Sequence, residues 1–156
     1  NESPALKDSD YNPDVVDERS KKNNEYYTSP IDFDHVIKAD YKRNGKPSGG
    51  HSVLFGDVRI IPGTKTLPDK NGVYKARVEM PDPKNPGKWV EKDGPKHTMF
   101  PEKWNEQKII DEVNAAWNSD KKTINGNRWS SITPEGVKVT GYIKPRHTAY
   151  PVMEKK

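Results

Sequence analysis

His35 and His51 are the residues of this chain best suited to moving protons. An imidazole titrates near neutrality, so it takes or gives a proton at physiological pH. Two imidazoles brought together make an acid–base pair, one removing a proton from a nucleophile while the other protonates the leaving group. His51 stands in Ser48-Gly49-Gly50-His51-Ser52. Two glycines ahead of it let the backbone fold tightly with positive φ. They also leave backbone N–H groups uncovered beside the imidazole, and such a bare loop can cradle an anion such as a phosphate. A lysine that neutralises a pentavalent phosphorane would complete a set suited to RNA cleavage by the RNA's own 2′-hydroxyl. The nucleophile would then belong to the substrate, and no Ser or Cys nucleophile is needed. A plain turn that happens to hold a histidine accounts for the same five residues, and the sequence by itself does not put His35 near His51.

The rest of the composition narrows the chemistry by exclusion. The chain has 156 residues and no Cys, which removes disulfides, thiolate catalysis and Cys-ligated metal. Its four histidines, His35, His51, His97 and His147, show no zinc-binding spacing, so neither a metal site nor a cofactor is expected. Hydrophobic residues are 30% and charged residues 32%, lean for a globular core, so part of the chain is expected to be poorly ordered. A formal charge of +4 suits a polyanionic partner without proving one. No apolar run approaches a membrane span and no signal peptide opens the chain; a piece of a longer polypeptide would read the same way.

The elements that must position these residues follow in order. Residues 1–30 read as a flexible tail or linker, and 31–156 as the folded domain. Phe33, Val36 and Ile37 have the spacing of a short helix that carries His35. Tyr41 to Pro47 reads as a basic, turn-rich loop, and Val53 to Ile61 as a strand ended by Pro62-Gly63. Gly72 to Met80 alternates apolar and charged residues, the mark of a strand covered on one side. The proline-rich turn after it predicts an antiparallel hairpin with Lys88 to Lys92, and Met99-Phe100-Pro101 opens a new element. Asn105 to Trp117 is the best helix, with Ile109, Ile110, Val113, Ala116 and Trp117 in one stripe. Residues 118–127 read as turns, Gly136 to Ile143 as a strand, and His147 to Val152 as the last strand. The class expected is α+β, with antiparallel sheets around one main helix and short helices near the N-terminus.

Residues 33–152 resemble a bacterial EndoU-type ribonuclease domain of the kind carried by polymorphic and contact-dependent growth-inhibition toxins. The pieces that carry the resemblance are Phe33-Asp34-His35-Val36, Ser48-Gly49-Gly50-His51-Ser52, Gly56-Asp57-Val58-Arg59, Gly72-Val73-Tyr74 and Trp89-Val90-Glu91-Lys92. Thr98-Met99-Phe100-Pro101 with Trp104, the helix through Trp117, and Thr148-Ala149-Tyr150-Pro151 complete them. The resemblance implies that His35 and His51 act as general acid and base. It implies that Thr148 and Tyr150 position substrate, the hydroxyl on a phosphate or uracil edge and the ring on a base. It assigns the lysine to Lys92, with Lys96 as competitor. It further implies metal-independent transesterification to a 2′,3′-cyclic phosphate.

Gly50, Ser52, Lys46 and Arg146 are the expected substrate contacts. His97 and His147 are expected at the surface, and Trp89, Trp104, Trp117 and Trp129 in the core. The chain is thus expected to be a toxin endoribonuclease that cuts RNA, with tRNA the foremost candidate, and that inhibits the growth of a target bacterium. It would arrive as the C-terminal part of a secreted or cell-surface protein and act in the target's cytoplasm. A cognate immunity protein, acidic where it covers a basic cleft, would protect the producer. The rival reading is a non-catalytic RNA- or protein-binding module on the same fold; a binder has no need of two histidines together with Thr148 and Tyr150.

Overall fold

The short helix that carries the first histidine is α1 (Phe33–Ile37), started by the Asp32 side chain accepting from the His35 N–H. It is the first helix among residues 29–154, which the computed structural model describes. The expected tail at residues 1–28 lies outside the described residues. Ser29, inside the stretch read as tail, is buried and hydrogen-bonded to Asn114.

The described chain forms two compact units. One takes Asp32–Asn105 and residues 150–154. In it, α1 leads into a hairpin of β1 (Ala39–Tyr41) and β2 (Pro47–Gly49). β3 (Arg59–Ile60), β5 (Val78–Pro81) and β6 (Trp89–Glu91) form an antiparallel sheet, and β4 (Tyr74–Ala76) pairs with β7 (His97–Met99). β11 (Tyr150–Val152) lies against β7. Val58, Tyr74, Ala76, Val78, Met80 and Met99 make the core of this unit, with Tyr41, Val53 and Ile60 packed against it. The alternating Tyr74, Ala76, Val78 and Met80 all face inward, as the period-two pattern demands.

The other unit takes residues 29–31 and Glu106–Ala149. Its long helix is α2 (Glu106–Trp117), and its sheet is the antiparallel run β8 (Thr123–Asn125), β9 (Arg128–Ile132) and β10 (Lys138–Tyr142). Ile109, Ile110, Val113 and Ala116 of the helical stripe are buried, as are Trp129, Val137 and Val139. The α+β class, the antiparallel sheets and the one main helix are therefore borne out.

Four expectations are corrected. The strand read over Gly72 to Met80 is two strands, because the Arg77 backbone leaves the ladder: its N–H donates to Thr64 Oγ1 at 3.1 Å and its carbonyl accepts from Ile61 N–H at 2.9 Å. The strand read over Val53 to Ile61 shrinks to β3, because in a turn ahead of it Leu54 N–H donates to Ser52 Oγ and Gly56 N–H to Val53 O. Met99 ends β7 instead of opening an element. Finally, β8 and β9 lie in a stretch read as turns or left without a strand.

Candidate active site

A five-residue helix leaves its last carbonyls without helical partners. Here the glycine loop supplies them. Gly50 N–H donates to His35 O at 3.0 Å, and His51 N–H donates to Val36 O at 2.8 Å. The same chain-to-chain stitching brings the two histidines to one place. It also explains the glycines: Gly49 has φ 67, and a Cβ there would overlap the His35 carbonyl and crowd the His35 ring. A Cβ on Gly50 would run into Met80 and Val58. The expected tight fold with positive φ is present; the Gly50 N–H is committed to His35.

His51 is fixed at every polar backbone atom. Besides its N–H bond, its carbonyl accepts from Phe100 N–H at 2.9 Å. Its ring Nδ1 lies 2.7 Å from the Thr98 carbonyl in the middle of β7. A carbonyl only accepts, so Nδ1 carries the hydrogen and the neutral ring has its bare lone pair at Nε2. Burial first, then the nearby Lys92, hold the His51 imidazole well below its usual value; His97 and His35 add to this and the Thr98 bond opposes it. The ring is therefore neutral at pH 7 and can accept a proton at Nε2. Tyr150 stacks on it, with ring centroids 5.6 Å apart and planes 21° from parallel.

His35 has a different setting. Its Nδ1 lies 2.9 Å from Asp40 Oδ2 on β1, and a carboxylate likewise leaves Nδ1 as the donor. Asp40 thus fixes the ring's tautomer and gives a protonated ring its counter-charge. Asp40 was absent from the sequence-derived set. The signal that could have found it is a carboxylate five residues beyond a histidine, placed where the helix ends and the chain turns back.

Lys92 follows β6, and its ammonium donates to Gly49 O at 2.9 Å. Burial first, then Lys42, push its pKa down to about 8. One of its three N–H donors goes to Gly49, which leaves two for a ligand. Lys96, the competitor, is exposed on the loop beyond.

The remaining expected residues divide. Ser52 is buried, and its Oγ accepts from Leu54 N–H at 3.3 Å. Lys46 is exposed and pairs with Asp93 at 3.1 Å. Thr148 and Arg146 belong to the other unit. Thr148 precedes β11, so the strand argument that would aim it with Tyr150 does not hold. Its hydroxyl accepts from Tyr142 N–H at 2.9 Å and its carbonyl accepts from the Trp129 indole at 2.8 Å.

Two expectations about the bystanders are corrected. His97 and His147 are half-buried, not surface residues, and burial lowers the pKa of both. Of the tryptophans, Trp104 and Trp129 are buried. Trp89 is half-buried under the Arg59 guanidinium, 3.5 Å from its ring centroid, and Trp117 is half-buried with Lys122 over its ring at 3.5 Å.

Residues 30–153 match the family described as bacterial EndoU nuclease. A curated protein of Bacillus cereus called "Toxin" is 32% identical over 117 residues, 73% of this chain. The chain spans only 20% of that relative's length. No solved structure matches the chain.

Proposed function

Because the chain belongs to the bacterial EndoU nuclease family, we propose that it cleaves RNA by metal-independent transesterification, with His51 as general base and His35 as general acid. His51 Nε2 takes the proton of the 2′-hydroxyl. The 2′-oxygen bonds to phosphorus, the bond from phosphorus to the 5′-oxygen breaks, and His35 gives that oxygen its proton. The products are a 2′,3′-cyclic phosphate and a 5′-hydroxyl. Lys92 stabilises the negative charge that builds on the phosphorane oxygens. Tyr150 holds the His51 ring and offers its remaining surface to a base. Thr148, Gly50, Ser52, Lys46 and Arg146 remain the proposed substrate contacts.

The observation that carries the reading is the pairing of two differently held imidazoles. His51 is half-buried and kept neutral with Nε2 bare, while His35 is backed by Asp40. A binding module would have no use for that difference. The match to a protein called "Toxin" supports a toxic role; growth inhibition of a target bacterium, with tRNA as the substrate, belongs to the same proposal. Delivery as the C-terminal part of a secreted or cell-surface protein, action in the target cytoplasm and neutralisation by an acidic immunity protein complete the proposal.

The test is a substrate with a single 2′-deoxy substitution at the mapped cut. If the 2′-oxygen is the nucleophile, cleavage at that bond stops while other cuts continue. Continued cleavage at the deoxy position contradicts the proposal.

A further inference from the structure

Phe55 is an aromatic ring left in water on a firmly anchored loop. It is 46% exposed, and Leu54 beside it is 41% exposed. The loop is tied at one end by His51 N–H to Val36 O, and at the other by Ala39 N–H donating to Asp57 Oδ2 at 2.8 Å. Between these ties, Gly56 N–H closes a turn on Val53 O, and open space surrounds the position of a Gly56 Cβ. Burying a phenylalanine side chain stabilises a fold by roughly 1.5–3 kcal/mol. This loop forgoes a large part of that gain while ordering the backbone that displays the ring.

Lys38 supplies the second half of the feature. Its Nζ stands 4.9 Å from the Phe55 ring centroid. Lys38 is the C-cap of α1, so the cation comes from the helix that carries His35. Asp34 lies 3.5 Å from the same ammonium, but both side chains are solvent-exposed, and such pairs are weak in water. An aromatic face beside a cation is how proteins hold single-stranded nucleic acid: the ring stacks a base and the cation meets a phosphate. Phe55 stands four positions after His51, so their Cα atoms lie within about 14 Å. Tyr150 already stacks at the reacting centre, which leaves Phe55 to a nucleotide farther along the strand.

We propose that Phe55 and Lys38 form a stacking subsite for an unpaired RNA base outside the two nucleotides whose linkage is cut. This rests on the ribonuclease reading above. It makes unpaired segments longer than a dinucleotide the preferred substrate.

The experiment compares a dinucleoside monophosphate with a single-stranded oligoribonucleotide of about ten nucleotides, within the usual span of single-strand sites. Phe55→Ala should raise KM for the oligonucleotide roughly 5- to 100-fold, with kcat and dinucleotide cleavage unchanged. Phe55→Trp should retain the parent's KM, and Phe55→Leu, a filler that cannot stack, should behave like Phe55→Ala. Equal cleavage of the oligonucleotide by parent and Phe55→Ala overturns the subsite, and so does an equal loss on both substrates. A parent that cuts neither RNA overturns the ribonuclease reading instead. Oligonucleotide binding, read by fluorescence anisotropy, then still reports the subsite through its weakening in Phe55→Ala. Concentration-dependent dimerisation that Phe55→Ala abolishes, with oligonucleotide binding unchanged, would assign the patch to a second copy of the chain and overturn the proposal.

Discussion

At the residue scale, the proposed reaction needs a neutral base at His51, a protonated acid at His35 and a charged Lys92. His51 must be neutral to take a proton, and its lowered pKa keeps it so down to a pH well below the ordinary histidine value of about 6.5. Lys92 must be charged to stabilise the phosphorane, and it keeps its proton only below about 8. On the acid side the rate should therefore hold to below pH 6.5, and loss of the Lys92 charge should contribute an alkaline fall centred at about 8. Lys92→Arg keeps the charge at all working pH values. In a kcat/KM profile, that variant should lose the component of the alkaline fall centred at about 8 while its plateau drops, because an arginine fits the site less well. A fall at about 8 that persists unchanged in Lys92→Arg would remove Lys92 from the mechanism. The residue types were legible in the sequence because histidine and lysine announce their chemistry. Asp40 and the Tyr150–His51 stack were not, since both arise from chain segments that meet only in the folded unit.

At the scale of elements, the glycine loop and α1 act as one device. The backbone at Gly49 sits at φ 67 with a would-be Cβ against the His35 carbonyl, whereas Gly56 sits at φ 76 in open space. A residue other than glycine in this conformation costs about 1–2 kcal/mol in either place. Only Gly49→Ala must also displace the carbonyl that receives Gly50. Urea denaturation should show Gly49→Ala less stable than Gly56→Ala by at least about 1 kcal/mol, and Gly49→Ala should lose activity. Equal losses would mean that the close approach is not a constraint. Elements with strong apolar periodicity, such as α2 and the inward face of β4 and β5, were legible. β8 was not, because all three of its residues are exposed and carry no pattern. The Gly126-Asn127 pair that forms its two-residue turn was the available signal. The break at Arg77 was invisible because the alternation continues through it while its backbone bonds move to Thr64 and Ile61.

At the scale of the whole molecule, three of the four histidines resist protonation in the folded state. The pKa values of His51, His97 and His147 are all lowered, with burial the first cause in each. Below about pH 6.5 the unfolded chain binds these protons and the folded chain does not. Stability must therefore fall as pH drops through 6.5, and continue to fall until the lowered values are reached. Urea midpoints at pH 7.5 and 5.5 should show this decline, and His97→Gln or His147→Gln should make it shallower. A midpoint that does not move, or that rises on acidification, would contradict the burial of these rings. Surface positions were expected for His97 and His147 from the resemblance to a family whose other members carry small polar residues there. Their burial comes from loop and aromatic packing that no local pattern encodes, with His147 edge-on to Trp117 at 4.5 Å.

The central claim is that two histidines of this chain pass protons while the RNA attacks itself. The most direct measurement is the chemistry of the ends produced when the purified protein meets RNA in excess EDTA. The account predicts 2′,3′-cyclic phosphate and 5′-hydroxyl ends, with His35→Ala and His51→Ala each slower by roughly 10²- to 10⁴-fold. Ends bearing 5′-phosphate and 3′-hydroxyl, or cleavage that appears only when one divalent ion is restored, would contradict it.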